Sequence, residues 1–207
     1  MILEIIWIFL LFIFPVLLVY CRIIPFKYRK HTLATVSAII VTIILVEGWT
    51  LTQLGIRLDN IRECTIPYAV FTIIGIFFLL TMFRLLKRRP DRSITKRKHL
   101  IYGFIFVSAL QELLFRGFLF PELKNIFSGY ILIILVNAIL FTFIHSIYSN
   151  DIISLVMIFV SGICFAGIYW IYPNLILIII SHAILNYIAV LYNFYYKEKM
   201  SVKILES

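Results

Sequence analysis

Gln111-Glu112-Leu113-Leu114-Phe115-Arg116-Gly117 places a carboxylate and a guanidinium one helical turn apart inside an apolar segment. Two later apolar segments each carry one histidine with a partner at the same spacing: Phe141-x-x-x-His145 and His182-x-x-x-Asn186. An Arg or Asp at the centre of a membrane helix costs roughly 2.5–3.5 kcal/mol on insertion scales. A chain that keeps several such groups in hydrocarbon is expected to use them.

Composition supplies the reason to read these segments as membrane spans. The 207 residues are 63% apolar, with a mean hydropathy of +1.05. Soluble domains are roughly 45–50% apolar. The fold class expected is an all-α polytopic membrane protein whose packed helices form one domain. Seven spans are predicted, from about residues 5–24, 33–54, 66–86, 99–121, 130–147, 152–172 and 174–195. Pro15 interrupts the first, and Gly162 and Ala166 in the sixth have the small-residue spacing that lets a neighbouring helix approach closely. A broken or re-entrant segment around 117–129 would change the count of spans and leave the motifs in place.

The net charge of +9 does not point to nucleic acid, because nearly all the lysines and arginines lie between apolar segments. Arg22, Lys27, Arg29 and Lys30 follow the first span. Arg84, Lys87, Arg88, Arg89, Arg92, Lys96, Arg97 and Lys98 surround the gap after the third, and Lys197, Lys199 and Lys203 end the chain. The intervening loops hold Arg57, Arg62 and Lys124. The positive-inside rule therefore predicts a multi-pass plasma-membrane protein with the N-terminus outside and the C-terminus cytoplasmic, its basic loops against anionic headgroups.

Cys21, Cys64 and Cys164 are far apart and form no C-x-x-C, which argues against a thiolate metal cluster or a disulfide framework. The N-terminus has no basic n-region and reads as a retained span. Leu18-Val19-Tyr20-Cys21 is a poor lipoprotein cleavage site, because tyrosine before the cysteine is too large. His31 and His99 flank basic loops and read as interfacial. Each polar motif also has a bland reading. Glu112 with Arg116 would serve as an ion pair fixing two helices, and His145, His182 and Asn186 as polar contacts between helices.

Taken as an ordered set, the motifs resemble the CPBP family, the CAAX-protease and bacteriocin-processing group of intramembrane enzymes also called Abi. The family pattern reads EExxxR, FxxxH, then HxxxN or HxxxD on successive helices. Here it is met by Gln111-Glu112 with Arg116, Phe141 with His145, and His182 with Asn186, and by the Phe115–Leu119 continuation. The resemblance covers about residues 102–191 and implies three regions. Residues 1–98 form a three-span N-terminal part, 99–196 a catalytic-type core of the last four spans, and 197–207 a short cytoplasmic tail.

The resemblance also implies acyl chemistry on a peptide within the membrane. By position, Glu112, His145, His182 and Asn186 are the catalytic candidates, and Gln111, Arg116 and Phe141 support the site. His145 would help to hold the attacking group, while His182 and Asn186 would polarise the carbonyl. Metal-dependent and metal-free mechanisms have both been proposed for the family. Two histidines and a carboxylate could hold zinc, but no H-E-x-x-H supports it, and no cofactor is expected.

Position 111 departs from the pattern. The family's first glutamate is Gln111 here, and an amide has no proton-accepting carboxylate. Loss of a general base typically costs about 10²–10⁴ in rate. Glu112 points about 100° around the helix from Gln111 and is not a simple replacement. Three functions follow as expectations: an intramembrane endopeptidase, an enzyme of bacterial lipoprotein N-acylation, or a non-catalytic bacteriocin-immunity or binding protein. The partners expected are membrane lipids and a membrane-associated peptide or lipoprotein.

Overall fold

The structure is a computed structural model that describes residues 2–91, 98–147, 151–192 and 194. The basic stretch 92–97, the tail 197–207 and the side chain of His99 lie outside what is described. Among the described residues the chain is helix and turn with no strand, and seven helical stretches fall on the seven predicted spans. It is a polytopic membrane protein, with four helices long and apolar enough to cross a bilayer and three shorter apolar ones.

Helix α1 spans Ile2–Tyr20 and carries a π-helical turn, Phe9–Ile13, just ahead of Pro15. Proline lacks an N–H to continue the ladder, and the wide turn accommodates that loss. Helix α2 is Arg29–Val46, α3 is Ile61–Leu85, α5 is Tyr130–His145, α6 is Ile152–Ile171 and α7 is Leu175–Leu191. Helix α4 has three parts: Lys98–Glu112, a π-helical stretch Leu113–Leu119, and Phe120–Ile126. No break occurs at 117–121; the chain stays helical past Pro121 and turns at 127–129.

The predicted boundaries differ most at the second span. The second span was expected to reach Leu54, but α2 stops at Val46 because Gly48 adopts φ +68°. Trp49 N–H then bonds Ile44 O at 3.0 Å and Gly48 N–H bonds Leu45 O at 3.3 Å, closing the helix end with a left-handed residue. The apolar residues that continue to Leu54 belong to a folded loop. The fifth and seventh helices likewise end earlier than predicted, at His145 and Leu191.

That loop positions α7. Asn174 donates to Arg57 O at 2.7 Å and to Asn60 Oδ1 at 2.8 Å, while Asn60 donates to Pro173 O at 3.1 Å. Leu175 N–H bonds Gly55 O at 2.7 Å, and Gly55 sits at φ +76° with the Tyr169 hydroxyl against it. Along the bilayer-spanning part, Tyr68 donates to Tyr172 O at 2.9 Å and Thr72 to Ser181 Oγ at 2.8 Å. Gly75 leaves room for Leu185 one turn further on. The register of α7 against α3 is thus set at both its end and its middle.

Helices α5 and α6 pack most closely, and α7 packs along both α3 and α4. A Cβ on Gly162 of α6 would lie 3.2 Å from Ala138 Cα of α5, so the predicted small-residue contact is formed. Many large apolar side chains on the outer faces remain exposed, as expected where the solvent is lipid: Ile66, Ile73 and Phe77 on α3, and Ile152 and Val156 on α6.

Candidate active site

Glu112 and Arg116 are both fully buried near the middle of α4. Arg116 Nε lies 3.2 Å from Glu112 Oε2, and an Nη donates to Oε1 at 3.4 Å. The other guanidinium nitrogen reaches Gly162 O at 3.5 Å. Around the cation stand Phe141, Phe165 and Phe115, with ring centroids 5.0, 5.6 and 5.9 Å from its central carbon. Their faces offer a desolvated cation an electrostatic partner. The charged pair is therefore held by rings from three helices as well as by its own ionic contact.

The π-helical stretch leaves backbone groups off the regular ladder, and one is answered from α5. Asn137 of α5 donates to Phe115 O at 2.9 Å. Among the described residues Asn137 Oδ1 has no partner. The bond ties α5 to the widened turn that carries Arg116.

Gln111 and Glu112 diverge as their 100° separation requires, and each meets a different histidine. Gln111 reaches His145 at the end of α5, with Nε2 to Nε2 at 3.2 Å. His145 Nδ1 lies 2.7 Å from Phe141 O. A carbonyl oxygen only accepts, so Nδ1 carries the hydrogen and Nε2 of the neutral ring accepts from the Gln111 amide. Gln111 Oε1 is buried without a partner among the described residues. Gln111 also borders a small cavity of about 40 Å³ walled by α1 and α2, with Arg29 on its rim.

Glu112 instead turns to α7. Its Oε1 accepts from His182 Nδ1 at 2.5 Å, a short charge-assisted bond. His182 is packed against Phe165 and Phe141, at 5.1 and 5.9 Å between ring centroids. Phe141 is also 4.4 Å from the His145 ring, so one phenylalanine touches both imidazoles. One turn beyond His182, Asn186 donates to Ser108 Oγ of α4 at 3.2 Å.

His182, Asn186 and Phe141 line a cavity of about 290 Å³ whose other walls, from α3, α6, α7 and Phe194, are apolar except for Ser161. Neither Gln111 nor His145 borders it. Of the seven motif residues, Phe141, His182 and Asn186 line the larger cavity and Gln111 the smaller, while Glu112, Arg116 and His145 line neither. Among the described residues no group of three His, Cys, Asp or Glu side chains is arranged to hold a metal ion.

Sequence reasoning missed three contributors. Ser108 is four residues before Glu112 and shares its face, a spacing that could have marked it. Phe165 and the Gly162 carbonyl complete the arginine's surroundings and had no signal beyond apolar and small-residue spacing.

Buried ionic and imidazole groups thus meet on the central helices beside an apolar cavity. Residues 95–188, a little under half of the chain, match the family model of the type II CAAX prenyl endopeptidase Rce1-like group, a CPBP-family type. Neither curated proteins nor solved structures gave a significant match.

Proposed function

We propose that the chain is a membrane-embedded CPBP-type enzyme acting at a carbonyl of a lipid-modified, membrane-associated substrate. The observation that carries this reading is the buried Glu112–His182 pair at 2.5 Å, with His182 lining an apolar cavity. An imidazole oriented by a carboxylate is equipped to move a proton. The apolar walls suit an acyl or prenyl chain arriving from the bilayer. The family's own reaction, hydrolysis of a peptide bond, is the default.

One observation favours a second reading, acyl transfer to an amine. Gln111 stands where the family has its first glutamate, and its amide donates to His145 Nε2, the nitrogen that would otherwise activate water. An amine is already a good nucleophile and depends less on such activation. A lipid-modified protein offers one at its N-terminal cysteine, beside ester-linked acyl chains in the same bilayer. A purely binding or immunity role has no need of an imidazole oriented by a carboxylate beside a cavity, and the Glu112–His182 contact favours the catalytic readings over it. The distribution of basic residues supports an N-terminus outside and a C-terminus in the cytoplasm.

The test is mass spectrometry of the N-terminal lipopeptides of host lipoproteins, with and without this gene. Acyl transfer predicts one more acyl group when the gene is present, and peptidase action predicts a shorter peptide. Lipopeptides unchanged in both respects would contradict the proposal.

A further inference from the structure

We infer that His182, rather than His145, is the proton-transferring base of the site, with Glu112 as its positioning residue, working from the cavity between α3, α6 and α7. This rests on the functional reading above and assigns roles within the same site. It departs from the expectation that His182 and Asn186 together polarise the carbonyl.

Hydrogen-bond polarity is the first argument. His182 Nδ1 lies 2.5 Å from a carboxylate oxygen, so it carries the hydrogen. The neutral ring then has a lone pair on Nε2 and no hydrogen there. Such a nitrogen accepts a proton; it cannot donate to an oxyanion. A doubly protonated ring could donate, but Arg116 already balances the Glu112 charge, at 3.2 Å. A second buried cation would have no counter-charge among the groups that touch the pair.

Access is the second argument. His182 borders the 290 Å³ cavity and has Nδ1 fixed, which leaves Nε2 as the nitrogen available to an occupant. His145 does not border that cavity, and both its nitrogens are engaged, one by Phe141 O and the other by the Gln111 amide. Asn186 does border it. One N–H of its amide goes to Ser108, and the second is the donor left for a carbonyl oxygen.

The step balances with these groups. The amine nitrogen attacks the ester carbonyl carbon, forming a C–N bond, and its proton passes to His182 Nε2. Collapse of the tetrahedral intermediate breaks the C–O bond, and His182 returns the proton to the leaving alkoxide. The products are an amide and an alcohol. With water attacking a peptide bond, the same proton goes to the leaving amine.

The experiment compares the full-length wild-type chain with His182→Gln, His145→Gln and Glu112→Gln. The probe is a diacylglyceryl-cysteine peptide in phosphatidylglycerol vesicles, with acylated and cleaved products read by mass spectrometry. Glutamine keeps an N–H donor and cannot serve as the base. His182→Gln is therefore expected to lose about 10²–10⁴ in kcat, and His145→Gln less than tenfold. Glu112→Gln should lower kcat with KM for the lipopeptide held within twofold. Should His182→Gln fail to fold, His182→Asn keeps the donor toward Glu112 and carries the same contrast. Turnover that survives at position 182 and vanishes in His145→Gln overturns this inference alone. A wild-type chain that turns over neither bond overturns the functional reading as well.

Discussion

Gln111 and Glu112 are adjacent on one helix and lead to different parts of the molecule. Gln111 donates to a histidine at the end of α5 and borders a small cavity beside α1 and α2. Glu112 accepts from a histidine in the middle of α7, which borders the large apolar cavity. The first pair is neutral and its imidazole is saturated. The second contains a carboxylate, an arginine and an imidazole with one nitrogen left for a ligand. A single residue step on a helix rotates the side chain by about 100°, and here that rotation sends the two side chains to different histidines and different cavities.

The largest stability contrast between the two pairs comes from removing one polar group from each. Glu112→Leu leaves the Arg116 guanidinium buried without its carboxylate, which typically costs about 3–5 kcal/mol. Gln111→Leu removes one neutral hydrogen bond, at about 1 kcal/mol. Thermal unfolding in detergent checks the difference, and equal losses would break the distinction. The double variant Glu112→Leu/Arg116→Met should recover most of the loss, because it leaves no unpaired charge.

Next in size is the contact that brings α6 against the arginine. Gly162→Val forces a branched side chain against Ala138 and Phe141, and overpacking of this kind costs about 1–3 kcal/mol. Gly162→Ala should cost less, since the neighbours must move by only a few tenths of an ångström. Both are read from the same unfolding curves.

The smallest effects are expected at the groups that fix α7 and the widened turn. Asn174→Ala removes the bonds to Arg57 O and Asn60 and should cost about 1–2 kcal/mol. Thr72→Val breaks one hydroxyl contact to Ser181, at about 0.6 kcal/mol, the usual size for such bonds in membranes. Asn174→Ala has a second readout: it should lower activity by loosening the register that brings His182 to Glu112. If it destabilises without touching activity, the 47–60 loop does not position the site.

Much of this was legible in the residues. Apolar runs interrupted by basic clusters gave seven helices, because hydrocarbon tolerates few charges. The exceptions marked the site: Glu112, Arg116, His145 and His182 are costly groups in such runs. Spacing also gave the Glu112–Arg116 pair, since residues four apart share a helix face. The partner of each histidine was not legible, because that depends on how α5 and α7 are seated against α4. Nor was the π-helical stretch, whose residues Leu113–Leu119 keep an apolar character that any helix would show. The second span was overextended because hydrophobicity continues past Gly48, while the stop depends on one glycine's backbone. The first three spans carried no motif, yet their loop holds α7 in place through Asn60, Gly55 and Arg57.

Position 111 is where the account is most exposed. Gln111→Glu puts a carboxylate oxygen in place of the amide nitrogen that lies 3.2 Å from His145 Nε2, restoring the glutamate that the family pattern pairs with this histidine. The decisive measurement is the ratio of hydrolysed to amine-acylated product from the diacylglyceryl-cysteine peptide, wild type against Gln111→Glu. The account predicts that the variant shifts the ratio toward hydrolysis by about 10² or more; on the acyl-transfer reading, acylated product also dominates for the wild type. A wild-type chain that already hydrolyses the probe as fast as the variant, with an unchanged ratio, would contradict it.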